Sequence, residues 1–363
     1  GGRQGLMEAQ RFPDDFDGWS IGAPIYDYTY KQTYNAAWAA KAMFGNDQAG
    51  HVPIEQLQLL GEAVYAQCDA IDGIEDGLIN DPRACDFDAR RDLPQCSSAE
   101  RSLQCFTPAQ IEAVAKIYEG PGEGIYPGAV PGAEWMPHRP GEFYGGWDLY
   151  FTGIPAAPES ATGETNAYGG NAFDPVQLRN GSSFFQYLAF EQDQPAFDIF
   201  TDLDFSDVPD VSFMAGIMNA TDTDLSRIHD AGKKIIMWHG WADVGLNPLR
   251  TIEYFEDVQT TMGEATTNEF MRLFLVPGMY HCDAGPGPDV FDDLTALEQW
   301  VEQGEAPEQM TAYQVDTPGG YGAPWGNVVA PHANVERSRP ICAYPAEARY
   351  RGRGDVNLSL IHI

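Results

Sequence analysis

The sequence predicts an α/β fold: a mostly parallel sheet with flanking helices, carrying a large irregular cap. Three observations predict it. After residue 225 the pattern alternates strand, helix, strand, helix, which is the signature of a parallel sheet with helices outside. Residues 121–180 contain nineteen Gly or Pro among sixty, too many for a regular layer. Hydrophobic residues make up 43% of the 363-residue chain, enough for a sizeable core.

The elements follow in order. Residues 2–11 read as a helix that stops at Pro13. Residues 18–24 form a short apolar segment closed by Pro24, a buried strand. Residues 28–44 and 53–67 read as helices; Pro53 suits a first turn, and Ile54, Leu57, Leu60 and Val64 share a face. Thr107-Pro108-Ala109-Gln110 is a capping box that starts a helix to Tyr118. The 121–180 stretch scatters Tyr126, Trp135, Phe143, Tyr144, Trp147, Tyr150 and Phe151, which suit either pocket walls or a small aromatic core. A helix at 225–231 leads into the strand Lys233–Gly240, a helix from Asn247 to Met262, the strand Phe270–Val276 and a helix at 292–303. The expected organisation is residues 1–67 and 225–356 as one catalytic domain, 68–224 as the cap, and 357–363 as a non-native tail. No internal repeat is evident.

The net charge is −33, from 54 acidic against 21 basic residues. Such a field repels nucleic acid and anionic membranes. No run of 18 apolar residues exists, so no spanning helix is expected. Of the six cysteines none forms a C-x-x-C pair, which disfavours zinc and thioredoxin-like chemistry. Cys68, Cys85, Cys96 and Cys105 cluster locally, and the expected pairs are Cys68–Cys85 and Cys96–Cys105, in an oxidising compartment. Cys282 and Cys342 are left over and are able to pair with each other.

Two loops follow the late strands: His239-Gly240-Trp241-Ala242-Asp243 and Gly278-Met279-Tyr280-His281-Cys282. Ligands of open parallel sheets bind at the carboxyl ends of the strands. Asp243 and His281 therefore sit where chemistry is expected, in the Asp-then-His order of α/β-hydrolases. Asp243 would fix the imidazole tautomer and His281 would serve as general base; the bland alternative is a helix cap and a loop histidine. A nucleophile is needed upstream. The one formal G-x-S-x-G is Gly18-Trp19-Ser20-Ile21-Gly22, but Pro13–Asp17 before it is no strand and Pro24 blocks a following helix, so Ser20 fits poorly. Gly1-Gly2-Arg3-Gln4-Gly5-Leu6 reads better, as the second half of an elbow whose serine precedes Gly1.

These segments carry a resemblance. Gly1-Gly2-Arg3-Gln4-Gly5-Leu6-Met7-Glu8-Ala9-Gln10-Arg11-Phe12-Pro13 resembles the tannase/feruloyl esterase family just after its G-C-S-x-G elbow. Cys68-Asp69-Ala70-Ile71-Asp72-Gly73-Ile74-Glu75-Asp76-Gly77-Leu78-Ile79-Asn80-Asp81-Pro82 is similar to its calcium loop, and the two segments around Asp243 and His281 are similar to its acid and base segments. The resemblance runs from Gly1 to about Asp355. It implies an α/β-hydrolase fold whose N-terminal strands, nucleophilic serine and part of the oxyanion hole precede Gly1, so that residues 1–363 alone would be inactive and poorly stable. It implies a disulfide from Cys282 to the cysteine before that serine, and a partner for Cys342 further on. It places Asp17–Pro24 in the strand after the elbow helix, against Ser20.

Asp69, Asp72, Glu75 and Asp76 crowd four carboxylates into eight residues, which favours a hard cation such as Ca²⁺ over a solvated acidic turn. The resemblance assigns side chains of Asp69, Asp72 and Asp76 and the carbonyls of Ile74 and Leu78 as ligands of a structural Ca²⁺. The implied activity is hydrolysis of aromatic carboxylic esters, feruloyl or galloyl, free or attached to plant polysaccharide or polyphenol, through a Ser-His-Asp acyl-enzyme in a secreted or periplasmic protein. Arg139 or Arg179 would meet a substrate carboxylate. The competing expectations are a non-catalytic, calcium-stabilised phenolic- or carbohydrate-binding homologue, and a serine hydrolase using Ser20.

Overall fold

The computed structural model describes residues 1–97, 102–122, 124–135, 145–153, 174–315, 334–355 and 357. Arg139, Phe143, Tyr144 and the tail beyond Asn357 lie outside the described residues.

Helix α1 (Gly2–Arg11) buries Leu6 and Ala9 against strand β1 (Gly18–Gly22). The expected helix at 28–44 is divided: a short helix Tyr28–Tyr30, a π-helix Lys31–Ala37, then α2 (Trp38–Gln48), whose helical dihedrals end at Gly45 with ψ 167°. A 3₁₀ turn at Ile54–Gln56 enters α3 (Leu57–Cys68). Helix α4 (Pro108–Glu119) begins at the expected capping box, with the Thr107 hydroxyl accepting from Gln110 N at 3.3 Å and the Gln110 side chain accepting from Thr107 N at 2.9 Å. Next come α5 (Val176–Tyr187), α6 (Ser226–Asp230), β2 (Lys234–Gly240), α7 (Pro248–Met262), β3 (Met271–Val276), α8 (Asp293–Gln303), β4 (Gln309–Val315) and β5 (Val335–Cys342).

β1, β2 and β3 form a parallel sheet in that order, with Ser20 opposite Ile236 and Trp238 opposite Phe274. Lys234–Gly240 is apolar almost throughout because both faces of this sheet are covered. Successive side chains point to opposite faces. Ile235 and Met237 join Leu6, Ile21, Phe255 and Leu273 on one side. Ile236 joins Phe274, Leu297, Trp300 and Ile341 on the other. Each such fully buried side chain contributes about 1.5–3 kcal/mol. The antiparallel pair β4–β5 was not among the expected elements; it joins the sheet through the Phe274–Ala343 bridge.

A third apolar cluster joins α2 and α3 to the insertion. It gathers Leu60, Val64, Phe106, Val114, Trp147 and Phe151, and also takes in Ala242, Val244 and Tyr280 from the two sheet loops. Trp147 meets Phe151 edge-on at 5.0 Å and lies 5.5 Å from Tyr118, so these aromatics form a core. Both expected disulfides are present, Cys68–Cys85 and Cys96–Cys105, closing loops of 17 and 9 residues. A bridge across the larger loop stabilises by about 3 kcal/mol through the unfolded chain. Cys282 and Cys342 are not bonded to each other; both are free thiols. No helix among the described residues is long and apolar enough to cross a membrane.

Glu134 is buried at 1% exposure beneath this insertion. Its carboxyl accepts from Tyr118 Oη at 2.5 Å and from Gly132 N at 3.0 Å. Burial outweighs these bonds and pushes its pKa up to about 7. A carboxyl with a raised folded-state pKa stabilises the fold fully below its unfolded pKa and loses that contribution as pH rises towards 7. From the ordinary value of 4.5 the loss amounts to at most about 3 kcal/mol. Glu134→Gln is therefore expected to be more stable than wild type at pH 8, with the difference shrinking towards pH 4.5. Urea melts at several pH values measure it; a difference independent of pH contradicts the assignment.

Candidate active site

β2 and β3 are adjacent and parallel, so their carboxyl ends emerge side by side. The loops they release hold each other: Trp241 N donates to Val276 O at 2.9 Å and Ala242 N to Met279 O at 3.0 Å. Gly240 makes this approach feasible, because a Cβ there would lie 2.2 Å from Met279 O and 2.5 Å from Tyr280 O.

The two residues expected to carry chemistry are brought together. His281 Nδ1 lies 2.8 Å from Asp243 Oδ2. Asp243 is 1% exposed, and its other oxygen accepts from Gly245 N at 2.9 Å and Leu246 N at 2.8 Å. Burial raises the pKa of such a carboxyl, yet His281, His239 and these bonds outweigh it and hold Asp243 well below the carboxylate range. Burial lowers the pKa of His281, and Asp243 outweighs that too, raising it well above its ordinary value. The pair thus favours carboxylate beside imidazolium. The His281 side chain keeps 26% exposure, so the ring remains accessible to a reacting partner.

A second histidine was missed as a participant. His239, fully buried, sets Nε2 at 3.0 Å from Asp243 Oδ2 and 2.9 Å from Leu246 O, and Nδ1 at 2.7 Å from Thr251 Oγ1. It braces the acid from the end of β2. Its signal was a polar residue in an apolar strand, four residues before an aspartate. Cys282, next to the base, has a left-handed backbone at φ 68°. Such a conformation is costly for a non-glycine residue, by roughly 1–3 kcal/mol, and persists where surrounding structure imposes it. Its Sγ sits 3.8 and 3.9 Å from the two ring nitrogens of His281.

Ser20 is not brought to this pair. It lies in the middle of β1, and its hydroxyl donates to Asp293 Oδ2, which also accepts from Trp238 Nε1 at 3.0 Å. Gly2 packs onto the end of the same strand, where an added Cβ would fall 2.0 Å from Gly22 O. The entry to α1 therefore sits at the carboxyl end of β1, on the sheet edge that also presents Asp243 and His281. Arg179 lies on α5.

The acidic loop folds on itself. Asp69 Oδ1 accepts from Asp76 N and Gly77 N, both at 3.1 Å, Asp72 Oδ1 from Ile74 N at 3.0 Å, and Asp76 Oδ1 from Leu78 N at 3.2 Å. Asp76 also pairs with Arg339 of β5, whose side chain is 2% exposed, and Arg337 Nη2 donates to Asp76 O at 2.8 Å. Burial first, then mutual repulsion with Asp76, raises the pKa of Asp69 and Asp72. The three carboxylates and two carbonyls expected as ligands would offer the hard oxygens that suit Ca²⁺. Among the described residues no group of three or more His, Cys, Asp or Glu side chains is already gathered in a metal-holding arrangement.

Residues 1–359 match the family model described as tannase and feruloyl esterase. Mono(2-hydroxyethyl) terephthalate hydrolase of Piscinibacter sakaiensis is 33% identical over 392 residues, covering 98% of this chain and 61% of that protein. A probable feruloyl esterase of Arthroderma benhamiae is 30% identical, covering 98% of this chain and 60% of that protein. The chain therefore spans less than two thirds of the length of these relatives. The crystal structure of an esterase from Aspergillus oryzae superposes with a TM-score of 0.76 at 24% identity, over 100% of this chain and 66% of that one. That likeness, with the parallel sheet and its flanking helices, establishes the α/β-hydrolase fold. By the family match over residues 1–359 and the 33% identity across 98% of its own length, the chain belongs to the tannase and feruloyl esterase family.

Proposed function

We propose that this chain supplies the acid and base of a serine esterase that cleaves aromatic carboxylic esters through an acyl-enzyme. The observation that carries the reading is the 2.8 Å contact of His281 Nδ1 with the buried Asp243 carboxylate at the carboxyl ends of neighbouring parallel strands. The nucleophilic serine is assigned to the turn entering α1, preceding Gly1. His281 Nε2 takes the serine proton as Oγ attacks the ester carbonyl. The protonated imidazole gives that proton to the departing alcohol, leaving an acyl-serine. Water then attacks with His281 again as base, and the carboxylic acid departs as serine regains its proton. Asp243 stays ionised throughout and fixes the tautomer. Backbone N–H groups near the serine receive the oxyanion. Cys282 is proposed to bond the cysteine that precedes the serine, tying base to nucleophile. The relatives' names, a feruloyl esterase and a terephthalate monoester hydrolase, both point to an aromatic acyl group. Two disulfides support export to an oxidising compartment.

The loop 69–78 is proposed to hold a structural Ca²⁺ through Asp69, Asp72, Asp76 and the carbonyls of Ile74 and Leu78. The ion would neutralise clustered carboxylates and take no part in the reaction. Its readout is thermal: Ca²⁺ at a hundred times its Kd is expected to stabilise chelator-treated protein by about 2.7 kcal/mol, and Asp72→Asn to abolish the gain. No binding heat and an unchanged Tm with Ca²⁺ contradict it.

Hydrolysis of nitrophenyl, feruloyl and galloyl esters is to be assayed with the chain extended upstream of Gly1. His281→Ala is expected to lower kcat by about 10⁶-fold and Asp243→Asn by about 10⁴-fold. Because the base must be unprotonated, kcat/KM should rise with pH through a pKa above the ordinary 6.5 of histidine, and Asp243→Asn should move that limb down. Activity indifferent to both substitutions would falsify the triad, whereas no hydrolysis at all by the extended chain would leave a binding role.

A further inference from the structure

A buried cation lies behind the acid loop, and no step above uses it. Lys31, the first residue of the π-helix, is 3% exposed, and its ammonium donates to Gln177 Oε1 at 2.9 Å. The amide end of Gln177, itself 1% exposed on α5, donates to Asn35 Oδ1 at 2.7 Å, to Gly245 O at 3.2 Å and to Val244 O at 3.3 Å. Val244 and Gly245 directly follow Asp243, and Gly245 N is one of the two donors to Asp243 Oδ1. A continuous chain therefore runs from Lys31 through Gln177 to the backbone that orients the acid.

The packing that creates this chain is specific. Lys31 and Asn35, four residues apart on one helix face, both meet the Gln177 side chain of α5. Helix α5 is pressed close: a Cβ at Gly181 would lie 2.9 Å from both Ala37 N and Ala37 Cα. Any side chain at 181 would push Gln177 away from the loop. A buried ammonium is costly, and replacing it by an apolar group of similar shape usually leaves stability unchanged or higher. Stability thus gives no reason for a lysine here, whereas the orientation of Asp243 does.

We propose that Lys31 and Gln177 are positioning residues for Asp243. Gln177 clamps the Val244–Gly245 backbone, and the Lys31 ammonium fixes which way the Gln177 amide faces while adding positive charge near the acid. Asp243 feels Lys31 in turn: burial lowers the lysine to about 7, and attraction to Asp243 opposes that fall. Neither residue touches the reacting atoms. The role rests on the triad proposed above.

The test uses the full-length enzyme, serine included, with nitrophenyl ester hydrolysis and thermal melts. Asp243→Asn and His281→Ala serve as controls. Lys31→Met and Gln177→Glu are expected to lower kcat by about 10- to 100-fold, the scale of a small misplacement of a catalytic group. KM should stay within twofold, and the Lys31→Met Tm should not fall. Gln177→Glu keeps a partner for Lys31 while setting a carboxylate against the Val244 and Gly245 carbonyls, so it breaks the clamp without removing the lysine. In the Asp243→Asn background neither substitution should cost anything further. Unchanged kcat in both variants overturns the proposal, as does a loss that persists in full without Asp243. Controls that themselves leave turnover intact sink the triad, and the positioning role falls with it.

Discussion

The arrangement depends on one hydrogen bond, from the imidazole of His281 to the buried carboxylate of Asp243. An isolated carboxylate with this burial would be pushed towards neutrality. It stays ionised because two imidazoles and two backbone N–H groups converge on it. That convergence needs neighbouring parallel strands, a glycine where their loops cross, and a histidine at the end of β2. Sheet order, loop geometry and electrostatics are thus conditions of a single contact.

Much of this was legible in the sequence, for local reasons. The apolar run at 234–240, the turns after each strand, the Thr107–Gln110 capping box and the short-range disulfides all obey rules that act within a few residues. The order of Asp243 and His281, with a helix between, was enough to expect their meeting. The resemblance to a known family added what spacing cannot, an expected partner for Cys282 and an expected calcium ligand set.

What stayed hidden involves distant partners or an unusual winding. Lys31 and Gln177 are 146 residues apart, and Arg339 pairs with Asp76 across 263. No periodicity marks such pairs. Residues 28–44 have the apolar spacing of an ordinary helix, so the π-helix over Lys31–Ala37 was invisible. β4 and β5 were missed because the pairing is set by contacts with β3 and α8 as much as by alternation in either strand. Ser20 is the converse case: its motif matches on paper, its flanking sequence argued against an elbow, and its hydroxyl donates to Asp293 in the middle of a strand.

The most direct check of the central contact is proton NMR of the imidazole N–H region. A strongly downfield, exchange-protected Nδ1 proton of His281 is predicted in the wild-type chain and should vanish in Asp243→Asn. Absence of that resonance, or its survival without the Asp243 carboxylate, would contradict the claim that Asp243 holds the base.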